Sequence, residues 1–466
     1  MTFKDLKFWF KDFWNEYKKV KFGIVGFAFL IIFLLLMIFE PYIVPFSQAS
    51  SRWRDITYWD DNPSGAPPVW TNWFSSKKSP ESEKITKYQS EVIEGDLKFI
   101  NSTFEYDYKY DKAPLDIIFH GKGTGNMIML VKMERPDGET FDMVQMPIQT
   151  DGGNDIRITL DKDSGAAAFD FAQKFESEEN LQYVDKTSVK PLDIYFAQAK
   201  SDMLNKIEPL KGIYKFTVTA ILLDQESSYE DPFMVVSGRV SGILGTDNSK
   251  RDIWSGVVAG VKWALLIGLL TAVIAVGIGV VYGVISAFYG GFVDSIMQRI
   301  FELFASTPLL PVLIVMSAVF KPSIWTMILM MCAFFWTGPV KTVRSMALQI
   351  KEETYIEASK AVGASNARLI FKHMVPILVP YSFASMALYV PSAIVYEATI
   401  SLIGLGDATI VTWGQILHDA LKGGAVLTGL WWWVVPPGIM IALMGMTFAF
   451  IGFAMDKILQ PKLRTR

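Results

Sequence analysis

The sequence predicts a polytopic α-helical membrane protein with a mainly β domain between its first two membrane-spanning helices. Two observations predict this architecture: six long uncharged runs, and an acidic stretch of 197 residues between the first two runs. Hydrophobic residues make up 51% of the chain and charged residues only 20%, whereas soluble proteins carry about 25% charge. The composition therefore argues against a fully soluble or disordered protein. The net charge of -3 argues against a nucleic-acid-binding protein.

The six uncharged runs predict six transmembrane helices. Each run has 18 to 33 residues, and a helix needs about 20 apolar residues to cross a hydrocarbon core of about 30 Å. The first run is longer than the apolar core of a secretory signal peptide, which has about 7–15 residues, so we expect an uncleaved anchor rather than a cleaved leader. The runs are Phe22–Phe39, Trp263–Val293, Leu303–Phe320, Pro322–Val340, His373–Tyr396 and Gly423–Met455.

The distribution of basic residues predicts how these helices are oriented. Lys and Arg residues cluster at the N-terminus, in the loop 341–372 and at the C-terminus, whereas the short loops on the other side carry only Lys321 and Lys422. Because loops rich in Lys and Arg stay on the cytoplasmic side, we expect both termini and the loop 341–372 in the cytoplasm.

Three domains follow from this topology. Residues 1–47 hold the cytoplasmic N-terminus and the first helix, residues 48–244 form an external domain, and residues 245–466 form a five-helix core. The external stretch has 22 Lys and Arg against 32 Asp and Glu, a net charge of -10. Such a surface could orient a partner with a basic face. A spacer or a stabilising cap is the alternative role.

The external stretch reads mainly as strands. Asn126–Met133 and Thr140–Pro147 are joined by a turn that contains Pro and Gly, which predicts a β-hairpin. Gly212–Ile221 is rich in β-branched and aromatic residues and predicts another strand. Helical patterns lie at about 165–184 and 191–207. We therefore expect a β-sandwich, similar to the immunoglobulin type, with a helical insertion.

The sequence contains no motif for catalysis or metal binding. It lacks a phosphate-binding G-x-x-x-x-G-K-[ST] motif, an H-E-x-x-H motif and a nucleophile motif. His120, His373 and His418 are too scattered to suggest a metal site, and the single cysteine, Cys332, excludes a disulfide within the chain. We expect no catalytic activity, no metal and no cofactor bound by this chain.

The loop between the fourth and fifth predicted helices carries the most informative pattern. Residues 353–376 predict two short helices on either side of Gly363, which can adopt the left-handed conformation of a helix C-cap at little cost. Ser365 or Asn366 can cap the second helix. Small side chains keep the first helix slim, so that it could fit a groove on another protein. An ordinary amphipathic surface loop is the alternative.

This loop resembles the EAA loop of ABC-importer permease subunits. The resemblance rests on Glu357-Ala-Ser359, on Gly363 and on Pro376, with Ser359 in place of the usual alanine. In that family the loop is the coupling helix that docks into the ATPase subunit. The resemblance therefore implies a coupling role for Glu357, Ala358, Ser359, Gly363, Ala364 and Arg368.

Three further segments are similar to the C-type subunit of the oligopeptide, dipeptide and nickel permeases. Gly245–Ser255 is similar to the pattern G-T-D-x-x-G-R-D-x-x-S, with Lys250 in place of a glycine, which leaves the conformation of that turn open. Asp294–Pro308 resembles a D…R…D…S-x-P stretch, with Glu in place of the second Asp. Glu397–Gly406, followed by Trp413, resembles E-A-x-L-S-F-L-G-L-G…W-G. The long external stretch is the main departure from the family.

The resemblance implies a type I ABC-importer fold and a permease subunit for peptides, with nickel or oligosaccharides as open alternatives. It also implies a second permease subunit, two cytoplasmic ATPase subunits that bind ATP and Mg, an external solute-binding protein, and a bacterial or archaeal cell membrane as the location. A structural role for Glu397 is as plausible as a role in the pathway. The candidates for the gate or translocation path are Glu397, Ser401, Gly404, Gly406 and Trp413.

Two functions from other classes remain open at this point. A membrane-anchored external binding or adhesion module would need only one spanning helix and would have no use for the cytoplasmic loop. An ion channel would usually carry rings of charge within the membrane, which the sequence lacks.

Overall fold

The structure is a computed structural model that describes residues 14–44, 50–95, 97–176, 189–224 and 226–459. The chain divides into two compact units. The membrane unit comprises Met1–Arg54 and Ser255–Arg466, and the inserted unit comprises Asp55–Trp254.

The first helix of the membrane unit is α1, Lys21–Ile43, which is long and apolar enough to cross a membrane. Of its residues only Gly23, Gly26, Phe33 and Glu40 are buried. The other side chains are mostly large and apolar, which suits a surface in contact with lipid.

The inserted unit is built on one antiparallel sheet of seven strands. The fourth strand hydrogen-bonds with the fifth along one edge, and along its other edge with the seventh over Asp116–Thr124 and the sixth over Met127–Glu134. Gly125, with φ at +82°, lies where the sheet forks. The strands are β1 (Glu83–Ile85), β2 (Gln89–Glu94), β3 (Lys98–Tyr108), β4 (Asp116–Glu134), β5 (Thr140–Arg157), β6 (Gly212–Leu222) and β7 (Ser228–Ser237).

The predicted sandwich of two sheets is therefore wrong in detail, although the unit is β-rich. β4 has 19 residues, so a single strand is long enough to pair with β7 in its first half and β6 in its second. The predicted hairpin is present as β4 and β5. Alternate residues of β3 and β6 are buried, and their aromatic side chains form the core of the unit.

Two helices lie between β5 and β6 among the described residues: α2 (Lys162–Gln173) and α3 (Pro191–Tyr195). The predicted helix at 165–184 begins earlier and ends at Gln173, and residues 177–188 lie outside the described part. The predicted helix at 191–207 is much shorter, because Tyr195 and Phe196 are buried in the core and the Phe196 carbonyl accepts a hydrogen bond from Leu210 N at 2.8 Å.

Ten helices follow in the described part of the membrane unit, several of them short. They are α4 (Ile253–Tyr289), α5 (Gly291–Ser306), α6 (Leu309–Val319), α7 (Ile324–Phe335), α8 (Thr337–Lys351), α9 (Thr354–Ala361), α10 (Asn366–Arg368), α11 (Val375–Leu402), α12 (Trp413–Lys422) and α13 (Trp431–Leu459). Residues Leu369–Met374 join α10 to α11 as a π-helix.

Five segments of the described chain are long and apolar enough to span a membrane, or six if α5 and α6 count as one. The predicted straight helix Leu303–Phe320 is broken, because α5 and α6 meet at an angle of 80°. Thr307 at the break is extended. Pro308 explains this, since proline lacks an N–H donor and disfavours helical backbone in the residue before it.

Glycines bring the long helices into close contact. A β-carbon on Gly268 of α4 would lie 2.6 Å from Val390 of α11, and one on Gly279 would lie 2.4 Å from the Trp336 carbonyl. Both distances are too short for a side chain, so glycine is required for this packing. An ion pair of 2.8 Å between Glu40 and Lys262 joins α1 to α4.

Candidate functional site

The loop between α8 and α11 folds as two short helices that are separated by Gly363. Helix α9 ends in a backbone turn in which Ala364 N donates to Ser359 O and Gly363 N donates to Lys360 O, both at 3.0 Å. Gly363 has φ at +89°, which is the left-handed conformation that this type of C-cap requires. The predicted left-handed C-cap conformation of Gly363 is confirmed.

The second short helix begins at a serine cap. The Ser365 hydroxyl accepts a hydrogen bond from Arg368 N at 3.4 Å, so Ser365 rather than Asn366 is the cap. The chain then continues through the π-helix into α11. The loop is therefore directly continuous with a membrane-spanning helix.

A buried isoleucine anchors α9 to the rest of the membrane unit. Ile356 is 3% exposed and packs in a cluster with Val343 of α8, Val280 of α4 and Leu369 of the π-helix. Sequence reasoning did not single out Ile356. Its signal was a single large aliphatic residue in a short helix that otherwise has small, charged and hydroxyl-bearing side chains, which indicates an inward face.

The opposite side of the loop is open to solvent. None of the six predicted residues is buried: four are exposed (Glu357, Ala358, Gly363 and Arg368) and two are half-buried (Ser359 and Ala364). Large apolar side chains lie among them: Val362 is 88% exposed, Phe371 55% and Tyr355 39%. Apolar side chains grouped on a charged surface are typical of sites that bind another protein.

A carboxylate–guanidinium pair connects the helices next to this loop. Asp294 of α5 accepts from Arg344 Nε of α8 at 2.8 Å and from the Ser286 hydroxyl of α4. Arg344 lies about two turns before the end of α8. The aspartate of the stretch Asp294–Pro308 thus joins three helices, whereas Arg299 and Glu302 form an exposed pair within α5 at 3.0 Å.

The second candidate group surrounds Glu397 near the end of α11. Its Oε1 accepts hydrogen bonds from the Ser401 hydroxyl at 2.7 Å and from the Thr412 hydroxyl at 2.8 Å. Thr412 in turn accepts from Gln415 N at 3.2 Å and so caps α12. Because Glu397 is only 5% exposed, it links the end of α11 to the start of α12.

The glycines of this group let α12 pack closely on α11. Gly404 has φ at +86°, which ends α11 in a turn. A β-carbon on Gly406 would lie 2.0 Å from the Ser401 hydroxyl, and one on Gly414 would lie 2.7 Å from the Ser401 β-carbon. The Trp413 indole donates to Val257 O of α4 at 2.8 Å. Glu397, Ser401, Gly406 and Trp413 are therefore buried neighbours in one corner, and Gly404 lies exposed at its edge.

Arg54, from the N-terminal part of the membrane unit, also contacts this corner. Its Nε donates to Ala408 O at 2.7 Å, and its Nη2 lies 3.3 Å from Gln415 Oε1. Sequence reasoning missed both side chains, since 361 residues separate Arg54 from Gln415. Within the described residues, no group of three His, Cys, Asp or Glu side chains could hold a metal ion.

The segment Gly245–Ser255 forms a tight turn at the end of the inserted unit. Thr246 is fully buried, donates to Pro63 O at 2.6 Å and accepts from Ala66 N at 2.9 Å. Asp247 accepts from Arg251 Nε at 2.6 Å. Burial raises the pKa of Asp247 above its ordinary value, although Arg251 acts in the opposite direction.

Lys250 keeps the backbone conformation that a glycine would take at this turn. Its φ is +65°, which is strained for a residue with a side chain. Its Nζ lies 2.6 Å from Asp60 Oδ1. Burial alone would raise the pKa of Asp60, but Lys250 and Arg157 together lower it. The turn thus keeps the positive φ of a glycine despite the replacement, and its Lys250 side chain is held by an ion pair.

Two parts of the sequence match families of transport proteins. Residues 279–465 match the binding-protein-dependent transport system inner membrane components. Residues 7–68 match the N-terminal membrane domain of oligopeptide transport permease C. Most of the inserted unit lies between these two matches.

Curated relatives are similar over a large share of their own length. The dipeptide transport system permease protein DppC of Bacillus subtilis (strain 168) is 36% identical over 222 residues, which are 47% of this chain and 69% of that protein. The oligopeptide transport system permease protein OppC of the same strain is 36% identical over 47% of this chain and 72% of its own. DppC of Alkalihalophilus pseudofirmus is 30% identical over 287 residues, which are 60% of this chain and 92% of that protein.

Among solved structures, inward-facing forms of the MetNI methionine ABC transporter are matched. One chain aligns with a TM-score of 0.35 and 20% identity over 45% of this chain and 96% of that chain.

Proposed function

The chain belongs to the family of C-type permease subunits of the oligopeptide and dipeptide ABC importers, and we propose that it forms half of a pathway through which peptides cross the membrane. It is a transport subunit rather than an enzyme, and ATP is hydrolysed by partner subunits. The observation that carries the proposal is the exposed loop around Gly363, which lies between two membrane-spanning segments and is anchored to both by Ile356.

We place the coupling to ATP hydrolysis in this loop. A partner that covers Val362 and Phe371 would remove large apolar side chains from water, which is favourable by about 25 cal/mol for each Å². Glu357 and Arg368 add charges that can select the partner. Because Ile356 belongs to one buried cluster with residues of α4 and α8, a displacement of α9 would be passed to two long helices.

The mechanism that we propose is alternating access. An external solute-binding protein delivers the peptide, and closure of two cytoplasmic ATPase subunits around ATP and Mg moves the coupling loop. A second permease subunit supplies the other half of the pathway. This chain itself binds no cofactor.

We assign a gating role to the corner formed by α11 and α12. Glu397, Ser401, Gly404, Gly406 and Trp413 hold α12 against α11 and α4 through buried hydrogen bonds and close glycine contacts. A short helix held in this way would move together with α11. We propose that this block opens and closes one mouth of the pathway.

The named relatives are dipeptide and oligopeptide permeases, so peptides are the substrate class that we propose, ahead of nickel or oligosaccharides. From the basic loops we propose that the termini and residues 341–372 lie in the cytoplasm of a bacterial or archaeal cell, and that residues 48–244 lie outside.

The proposal can be tested by purifying the full chain in a mild detergent and identifying its partners by mass spectrometry. We expect a second permease subunit and an ATPase subunit. The complex is then reconstituted in vesicles with its binding protein and tested for ATP-dependent uptake of a peptide mixture, of nickel and of an oligosaccharide. The absence of an ATPase subunit from every preparation would contradict the proposal, and uptake of nickel alone would contradict the substrate class.

A further inference from the structure

The segment Trp73–Lys78 presents aromatic and basic side chains on the surface of the inserted unit. All six residues are exposed, with Trp73 at 78% and Phe74 at 82%. Ile243, in the segment through which the chain leaves the unit, is 55% exposed. Large apolar side chains that are exposed to water are stabilised by a partner that covers them.

This segment is held in place rather than hanging free. It follows the 3-10 helix Val69–Trp73, in which Val69 N donates to Gly242 O at 3.1 Å and the Trp70 indole donates to Ile243 O at 2.9 Å. Buried Asn72 closes the loop, because its side chain accepts from Ser79 N at 3.0 Å and donates to Ser79 O at 2.9 Å. The exposed aromatics therefore have a defined position.

The charge of the segment is opposite to that of its surroundings. Residues 48–244 carry a net charge of -10, yet Lys77 and Lys78 follow the two aromatics after only two serines. Asp111 accepts from Lys78 N at 2.8 Å and is paired with Lys211 Nζ at 2.7 Å, while Lys78 Nζ donates one hydrogen bond to Asn72 O at 3.0 Å. Two lysines therefore lie in the same exposed segment as the aromatics, on a unit that is otherwise acidic.

The contacts of Val69 and Trp70 join the segment that enters the inserted unit to the one that leaves it. In sequence, Trp73 lies 30 residues after the end of α1, and Ile243 lies 10 residues before the start of α4. Both of these helices are long and apolar enough to cross a membrane. The patch is therefore held beside the segment that leads, in sequence, into a membrane-spanning helix.

From these observations we propose that Trp73, Phe74 and Ile243 insert into the headgroup region of the bilayer, with Lys77 and Lys78 facing lipid phosphates. Tryptophan and phenylalanine beside lysine suit this interface, because the rings bury apolar area while the ammonium groups stay among polar headgroups. This contact goes beyond transport, since it concerns how the inserted unit is held at the membrane and not what the permease carries.

The test uses the full chain in lipid nanodiscs with a photo-crosslinking amino acid in place of Phe74. A matched chain carries the same probe at Ile93, which is 48% exposed on β2 between Glu91 and Glu94. After illumination, we expect mass spectrometry to find phospholipid attached at position 74 and none at position 93. Should the probe at 74 prevent accumulation of the chain, position 73 takes it instead.

Lipid composition tests the role of the two lysines. In phosphatidylglycerol nanodiscs, K77Q/K78Q should lower the lipid adduct at position 74 by about fivefold per lysine, whereas in phosphatidylcholine nanodiscs it should change little. The proposal is overturned if position 74 gives no lipid adduct, if position 93 gives as much, or if added binding protein is crosslinked at position 74 in place of lipid.

Discussion

Glu397 is a carboxylate inside a membrane-spanning helix that is satisfied by hydroxyl groups instead of a cation. Ser401 and Thr412 both donate to its Oε1, and no Lys or Arg pairs with it among the described residues. Thr412 uses its other hydrogen-bonding capacity to cap α12. These hydrogen bonds need an oxygen acceptor at position 397, but they do not need the acceptor to be negatively charged.

We therefore predict that Glu397→Gln retains transport and Glu397→Ala does not. The glutamine oxygen can accept both hydroxyl hydrogen bonds, whereas alanine leaves two buried donors unpaired, at a cost of about 1–3 kcal/mol each. Vesicle uptake of peptide and the thermal unfolding midpoint of the purified complex measure the two effects.

Thr412→Ser serves as the matched control, because serine keeps the hydroxyl that joins Glu397 to α12. If Glu397→Gln assembles normally but fails to transport, then the charge itself takes part in translocation, and the hydrogen-bonding role is wrong.

His120 is placed between two carboxylates of the inserted unit. Its Nε2 lies 2.8 Å from Asp61 Oδ1 and its Nδ1 lies 2.5 Å from Asp155 Oδ1, while its ring stacks on Phe233 at 4.5 Å. Only the protonated imidazole can donate to both carboxylates. Burial by itself would lower the pKa of His120, but Asp61 and Asp155 outweigh it and raise the pKa.

The raised pKa predicts that the inserted unit loses stability at alkaline pH. The stabilisation from His120 is fully present below its unfolded pKa of about 6.5 and is lost as pH rises through the higher folded value. Between these two pKa values, the unfolding free energy changes by at most about 1.4 kcal/mol per pH unit. Thermal unfolding of the full chain at pH 6 and pH 9 measures the change, and His120→Gln should remove this pH-dependent part. An identical pH dependence in both chains would rule it out.

At the scale of elements, the turn at Gly363 sets the direction of α10 relative to the preceding helix α9. A β-carbon on Gly363 would meet nothing within 4 Å, so the position is open and only its backbone angle demands glycine. A side chain at position 363 would therefore strain the backbone without clashing with any neighbour.

We predict that Gly363→Val lowers transport and transport-coupled ATP hydrolysis while the chain still inserts into the membrane. A β-branched residue at φ of +89° is strained by about 1–3 kcal/mol, which favours another loop conformation. Gly363→Asn is the matched control, because asparagine tolerates left-handed backbone. Glu357→Lys should also impair coupling, since it reverses a charge on the exposed face. Normal transport by Gly363→Val and Glu357→Lys would disprove the coupling role of the loop.

Local chemistry could be predicted from the sequence, and contacts between distant elements could not. Gly363 and Ser365 act through their own neighbours, so the C-cap and N-cap were predictable. The break at Pro308 was also encoded locally, but the absence of charges around it favoured a straight helix. The contact of Arg54 with Gln415 and the fork of the sheet at Gly125 depend on tertiary packing, which no local pattern specifies.

At the scale of the whole molecule, the long insertion begins and ends at one place. The matched N-terminal region ends at residue 68, and the next residue, Val69, donates its N–H to Gly242 O at 3.1 Å. Just before it, Gly65 N donates to Asp247 O at 2.9 Å and Thr246 N donates to Ala66 O at 2.8 Å. Residues 69–241 can therefore be removed while the two hydrogen bonds of Gly65 and Ala66 with Asp247 and Thr246 still hold the two segments together.

This geometry allows a direct test of whether the inserted unit receives the binding protein. We propose that its net charge of -10 over residues 48–244 orients a basic face of that protein, as opposed to serving as a spacer or cap. Replacing residues 69–241 with a short Gly/Ser linker should leave assembly with the ATPase subunits intact and reduce the stimulation of ATP hydrolysis by the binding protein. In the intact chain this stimulation should weaken as salt rises past about 0.1 M, where the Debye length is about 10 Å. ATP hydrolysis by both reconstituted complexes, with and without binding protein and across a salt series, measures the effect. If the shortened chain is stimulated as strongly as the intact one, the unit does not dock the binding protein, and a spacer or cap is its role.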